Sequence, residues 1–115
     1  MAESHKPSHE KIRSLNDNFR QKLIVNTGTV LLTQGVISLP EGSVAELLDR
    51  VRTFDQFTPD DDPHGEHDFG AIDLDAVRYF WKIDYYDQSK TGGSPDPADP
   101  TVTHRVMTIM RADEY

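Results

Sequence analysis

The strongest constraint on the fold is the segment Val77–Tyr86, VRYFWKIDYY, in which large apolar side chains recur at every second position. A period of two is typical of a strand with one buried face. The preceding segment Phe69–Leu74 is also extended in character, and only Asp75 and Ala76 separate the two. This predicts a tight antiparallel hairpin. Asp-Ala suits the turn less well than Asp-Gly, because alanine is strained at positive φ.

Two amphipathic helices are expected to cover this sheet. The first is predicted to run to about Leu23 with Ser8 as its N-cap. The second is predicted to end near Phe54. It begins either with Pro40 in the first helical position or at Ser43, which forms a capping-box pattern with a following glutamate. Both carry apolar residues at spacings of three and four, so each has one buried face.

Two further strands are predicted from β-branched residues. The segment Asn26–Ser38 is expected to contain a strand from about Thr29, with a bulge or bend at Gly35. A last strand is expected over Thr101–Met110, after a Pro- and Gly-rich loop at 88–100. The predicted element order is therefore α-β-α-β-β-β.

This order predicts an α+β fold. We expect one domain over residues 1–115, with residues 1–7 disordered. The sheet is expected to contain about four antiparallel strands, with both helices packed on one face because each needs a partner for its apolar stripe.

Charge and composition exclude several classes of function. Residues 55–115 hold five Lys or Arg and fourteen Asp or Glu, a net charge of −9, whereas residues 1–54 carry a net +1. Such a field repels phosphate backbones, so we expect no direct nucleic-acid binding. No apolar run approaches the roughly 20 residues that cross a bilayer. The opening MAESHKPSHEKIR resembles no secretory signal. We therefore expect a cytoplasmic protein that contacts no membrane.

The acidic loop before the hairpin is the richest in reactive side chains. A metal site would use His64, His67 and Asp68, since imidazole and carboxylate are metal ligands. The spacing is not that of a zincin, which needs two histidines four apart on a helix. An EF-hand starting at Asp60 would place Ala71 where a bidentate glutamate is required. We therefore predict no metal and no cofactor, with this set as the alternative.

A small hydrolase is a second alternative for the same loop. His64 or His67 would act as the base, oriented by Glu66 or Asp68. No nucleophile elbow is present in the chain. The simpler interpretation is a structural turn in which aspartates accept hydrogen bonds from backbone N–H groups and Gly65 adopts positive φ. We therefore predict no catalytic residues.

Three segments carry a resemblance to a known family: FDQFTPDDDPHGEHDFG, FWKIDYYD and GSPDPADPTVTHRVMTIMRADEY. Together they resemble a family of small bacterial proteins classed only as a domain of unknown function. The resemblance extends from about Asn16 to Tyr115 and departs at Asp75-Ala76, where Asp-Gly is expected. It implies no catalytic residues. It implies a context, since members are frequent on proteobacterial plasmids and other mobile elements, where counter-defence is a common role.

We expect from these observations an acidic, non-catalytic interaction protein. In the implied context it would be an inhibitor of anti-CRISPR or anti-restriction type, bound to a basic surface of a host nucleoprotein. A purely structural subunit, or a dimer formed through the first helix or the aromatic strand, is a further alternative. The residues predicted to bind the partner are Asp60, Asp61, Asp62, Glu66, Asp68, Asp73 and Asp75.

Overall fold

The computed structural model describes residues 8–23 and 28–115, which form three helices and one four-stranded sheet. The α+β class is as predicted, and the predicted disordered segment 1–7 lies outside the described residues. The elements in chain order are α1 (His9–Lys22), β1 (Gly28–Leu32), α2 (Gln34–Ile37), α3 (Glu41–Arg52), β2 (Phe69–Leu74), β3 (Val77–Tyr86) and β4 (His104–Arg111), with a final 3₁₀ turn (Ala112–Glu114).

The strands are ordered β1-β4-β3-β2. β2 pairs with β3, and β3 with β4, in antiparallel registers that place Trp81 opposite Gly70 on one side and Ile109 on the other. The predicted all-antiparallel sheet is wrong at one pair, since β1 runs parallel to β4. A short hairpin forces antiparallel pairing, whereas the long connection that follows β1 leaves its direction free. The period of apolar residues reports the buried face of a strand and not its direction.

The predicted strand through Gly35 ends earlier than expected, at Leu32, and the chain then forms the single turn α2. Glu114, far along the chain, binds this segment. Its carboxylate accepts hydrogen bonds from Thr33 Oγ1 at 2.6 Å and from the Gly35 backbone N–H at 2.8 Å. The Thr33 N–H still donates to the Ile109 carbonyl of β4, whereas the Gly35 N–H is bound by the Glu114 side chain.

The two longer helices follow their sequence signals closely. Ser8 caps α1, and its Oγ accepts a hydrogen bond from the Lys11 N–H. Pro40 is the N-cap of α3, so the alternative start at Ser43 is not used, and the helix ends before Phe54. The last strand begins at His104 and not at Thr101.

The helices cover one face of the sheet, as predicted. Phe19 of α1 and Leu47 and Val51 of α3 pack in one buried cluster with the inward side chains of the sheet, among them the fully buried Trp81. Gly70 makes room for this indole, because a Cβ there would lie 2.3 Å from Trp81 Nε1. Alternate side chains of β3 point to the opposite, outer face of the sheet.

Candidate functional site

The acidic loop is held by its own aspartate, as the sequence predicted. Asp62 is buried, and its Oδ1 accepts hydrogen bonds from the backbone N–H groups of Glu66 at 3.0 Å and His67 at 3.1 Å. Gly65, which lies between Asp62 and Glu66, has φ of +65°, and this conformation allows the chain to reverse direction there. Arg13 of α1 donates to the Gly65 carbonyl at 3.1 Å, so the loop is also fixed to the helix.

Glu66 points into the molecule and not to the neighbouring loop histidine. Its Oε1 accepts a hydrogen bond from the Tyr85 hydroxyl at 3.2 Å, and its Oε2 lies 2.7 Å from His9 Nδ1. Asn16 donates to the Glu66 carbonyl at 2.9 Å and to the Tyr85 hydroxyl at 2.8 Å. These contacts join α1, the loop and β3 in one polar network.

The two loop histidines lie in different surroundings. His67 stacks on Phe57 with ring centroids 3.6 Å apart, and its Nδ1 is 2.8 Å from Asp17 Oδ1. His64 is exposed and stacks on His9 at 5.5 Å.

The four side chains of the hydrolase alternative, His64, Glu66, His67 and Asp68, thus face different partners. Within residues 8–23 and 28–115, no group of three or more His, Asp or Glu side chains could hold a metal ion.

Asp68 is half-buried and forms no ion pair with any described residue. Burial, and then the charge of Glu66, raise the pKa of its carboxyl group above the usual value. It opens onto a surface depression that also contains Asp60 and Asp61, both exposed and without an ion pair among the described residues. We call this the acidic depression, and its other lining residues are Phe69, Lys82, Ile83, Asp84 and Tyr115.

One edge of the acidic depression is aromatic. Phe69, Phe80 and Tyr115 form a cluster with ring centroids 5.1 to 6.2 Å apart. Tyr115 is 75% exposed, so its ring is available to a partner. The Lys82 ammonium is less available to a partner, because it already pairs with the Asp84 carboxylate at 2.9 Å.

The predicted partner-binding aspartates and glutamate separate into three groups. Only Asp60, Asp61 and Asp68 line the acidic depression. Asp62 and Glu66 are buried. Asp73 forms a two-point bond with Arg78, which holds the pKa of its carboxyl below the usual value, and Asp75 is exposed in the hairpin turn.

Five residues that line the depression were absent from the sequence-based set, among them Asp84 and Tyr115. Asp84 could have been found, because the period of two places it with Lys82 on the outer face of β3, next to the loop. Tyr115 carries no such signal, since the 3₁₀ turn that returns it to Phe69 and Phe80 follows the last strand.

The comparisons with known proteins give one match. A family profile described as "Protein of unknown function (DUF3768)" matches residues 32–114. No curated protein and no solved structure matches the chain. In the described part of the chain, no helix is long and apolar enough to cross a membrane.

Proposed function

The chain belongs to the DUF3768 family, and from its own surface we propose that it is a non-catalytic protein that binds a basic surface of a partner protein. One observation carries the proposal. Three carboxylates without ion pairs among the described residues, those of Asp60, Asp61 and Asp68, surround a depression edged by the exposed ring of Tyr115.

This combination suits an arginine side chain. A guanidinium group bonds carboxylates through paired N–H donors. It also stacks on aromatic faces, a contact of about 0.5–1 kcal/mol at exposed sites. Lysine forms the charge contact without the planar stacking. The partner surface is therefore expected to be rich in arginine.

The net negative charge of the whole molecule also favours a basic partner. The formal net charge of −8 attracts basic proteins over distances near the Debye length, about 10 Å at 0.1 M salt. The predicted carboxylates do not form one row, because Asp73 and Asp75 lie at the hairpin end of β2 and two others are buried. Local docking of basic side chains therefore explains the surface better than imitation of a DNA backbone.

The resemblance to small proteins of mobile elements supports a more specific partner. Host defence complexes that bind DNA or RNA present arginine-rich channels, since these neutralise phosphates. We propose a host nucleoprotein of this class, of CRISPR or restriction type, as the target, with the acidic depression occupying part of its basic surface.

The proposal is tested by binding of oligoarginine and oligolysine peptides of equal length, measured by calorimetry. We expect Asp60→Asn with Asp61→Asn to weaken oligoarginine binding about tenfold, which is about 1.4 kcal/mol. The matched control is Asp73→Asn with Asp75→Asn, which removes the same charge from the other end of β2. Tyr115→Ala should reduce the preference for arginine over lysine.

Two results would overturn the proposal. Equal weakening by both double variants would mean attraction to net charge without a site. Equal binding of oligoarginine and oligolysine by the unmodified protein would remove the aromatic part of the argument. A capture experiment from host lysate, with the two double variants side by side, then tests the identity of the partner.

A further inference from the structure

A second concave region lies between α1 and the loop that joins β3 to β4. Its volume is about 210 Å³. We propose that this cleft binds a small organic carboxylate through Arg105. Its lining residues are Leu15, Asn18, Phe19, Gln88, Pro100, Thr103 and Arg105.

Arg105 is a buried cation whose hydrogen bonds are incomplete. It is 4% exposed, and its Nε donates to Asn16 Oδ1 at 2.7 Å and its Nη2 to the Pro97 carbonyl at 2.7 Å. The guanidinium also lies over the Tyr85 ring at 5.2 Å. A guanidinium has five N–H donors. Among the described residues, Nη1 has no acceptor and is open to solvent, and Arg105 has no carboxylate within 4.0 Å.

The contrast with Arg20 shows what is missing. Arg20 is equally buried, at 2% exposed, and lies over Trp81 as Arg105 lies over Tyr85. Its Nε and Nη2 donate to backbone carbonyls, and its Nη1 pairs with the Asp17 carboxylate at 3.0 Å. Arg105 lacks that last contact and instead lines a cleft.

An anion in the cleft would supply the missing partner. Burial lowers the pKa of Arg105, and Tyr85 and the charge of Glu66 oppose this without direct contact between the carboxylate and the guanidinium. A carboxylate bonded directly to the guanidinium would stabilise the charge further. A carboxylate can accept two parallel N–H bonds from one guanidinium. The end of the group formed by Nη1 and Nη2 has the donors for this arrangement.

The other residues that line the cleft indicate which anion it would bind. Leu15, Phe19 and Pro100 give an apolar wall, which suits a short hydrocarbon body. Arg105 is the one cationic residue among those that line the cleft. A single positive charge in a protein of net charge −8 balances a monoanion better than a phosphate dianion. The volume of about 210 Å³ is below the roughly 300–1,000 Å³ of pockets for drug-sized ligands, so the ligand is expected to be small.

The test is a titration of the full chain, labelled with ¹⁵N, by sodium isobutyrate, followed by NMR at pH 7 and constant ionic strength. We expect a saturable shift of the Arg105 Nε–H signal and of backbone signals of Leu15 and Thr103. The Arg20 Nε–H signal is the internal control and should not move. Isobutyramide, of the same shape without charge, should bind at least about tenfold more weakly.

Each remaining outcome overturns the proposal. Equal shifts at Arg20 and Arg105, no saturation, or equal binding of isobutyramide would each exclude a carboxylate site. Inorganic phosphate that binds as tightly as isobutyrate would exclude the choice of a monoanion. Arg105→Lys should lose isobutyrate binding while its spectrum stays dispersed. If that variant does not fold, the comparison of isobutyrate with isobutyramide in the unmodified protein decides alone.

Discussion

Asp68 shows how a residue of the proposed binding surface can oppose folding. Its pKa is raised by burial and by Glu66, so the folded state holds this proton more tightly than the unfolded chain does. Stability from this group is therefore present at low pH and is lost as pH rises through the raised pKa. At pH 7 the ionised carboxylate is a net cost of folding. A partner cation would favour the same ionised form.

We predict that Asp68→Asn raises the melting temperature at pH 7. The gain should shrink as pH falls and vanish below the ordinary pKa of an aspartate, because the native carboxyl is then neutral as well. Thermal melts across this range measure the effect, with the exposed Asp61→Asn as control. The variant should bind oligoarginine more weakly although it is more stable. A lower melting temperature at pH 7 would contradict this account.

Ala76 is a second residue at which the local conformation is unfavourable. Asp75 and Ala76 form the turn between β2 and β3 with φ of +51° and +65°. Positive φ at both central residues defines the turn that favours Asn-Gly or Asp-Gly. Ala76→Gly should therefore stabilise the protein by roughly 0.5–1 kcal/mol, measured by urea denaturation.

The matched control for this change is Ala45→Gly in the exposed part of α3. The same substitution in a helix should destabilise by roughly 0.5–1 kcal/mol. Opposite signs for the two variants would confirm that the turn conformation is the cause. Destabilisation by both would show that the gain in unfolded-chain entropy outweighs the relief of strain.

At the scale of elements, local sequence patterns were sufficient to predict a helix or hairpin whose bounds depend only on the residues within it. The hairpin β2–β3 and the Ser8-capped helix α1 were predictable in this way. The end of β1 was not, because the residues that follow it bind Glu114, which is distant in sequence. The parallel direction of β1 was not predictable either, since it depends on which edge of the sheet is free.

The contact of Glu114 with α2 predicts a pH effect opposite in sign to that of Asp68. Its hydrogen bond from Thr33, together with those from Arg111 and Gly35, holds the pKa of Glu114 below its usual value. Its stabilisation is present above the unfolded pKa and is lost as pH falls through the lowered one. Glu114→Gln should lower the melting temperature at neutral pH and have no effect in strong acid. Asp113→Asn, on the same 3₁₀ turn, is the control, and an equal loss there would contradict the prediction.

At the scale of the molecule, the sequence predicted that the candidate surface is acidic but not which acidic residues line it. All seven predicted acidic residues lie in the half with net charge −9. Which of them face solvent is decided by tertiary contacts, since Asp62 and Glu66 are buried against backbone N–H groups, Tyr85 and His9. No spacing along the chain distinguishes Asp62 from Asp61, although one holds the loop and the other lines the depression.

Asn16 joins more of the molecule than any charged pair described above. It is fully buried, and its amide bonds the Glu66 carbonyl, the Tyr85 hydroxyl and Arg105 Nε. It thus connects α1 to the acidic loop, β3 and β4, and its partner Arg105 lines the cleft. No pattern in the sequence indicates this role, because asparagine is usually exposed.

We predict that Asn16→Ala destabilises the protein by about 3 kcal/mol or more. It leaves Arg105 Nε and the Glu66 carbonyl without their acceptor and donor, and it removes one of the two hydrogen bonds of the Tyr85 hydroxyl. Each buried group left unpaired costs about 1–3 kcal/mol. Asn18→Ala, two residues along α1 and exposed, should change stability by less than about 0.5 kcal/mol. Urea denaturation of both variants gives the comparison. Because the loop and the cleft share this residue, Asn16→Ala should also weaken oligoarginine and isobutyrate binding together, whereas separate loss of one would show that the two sites are supported independently.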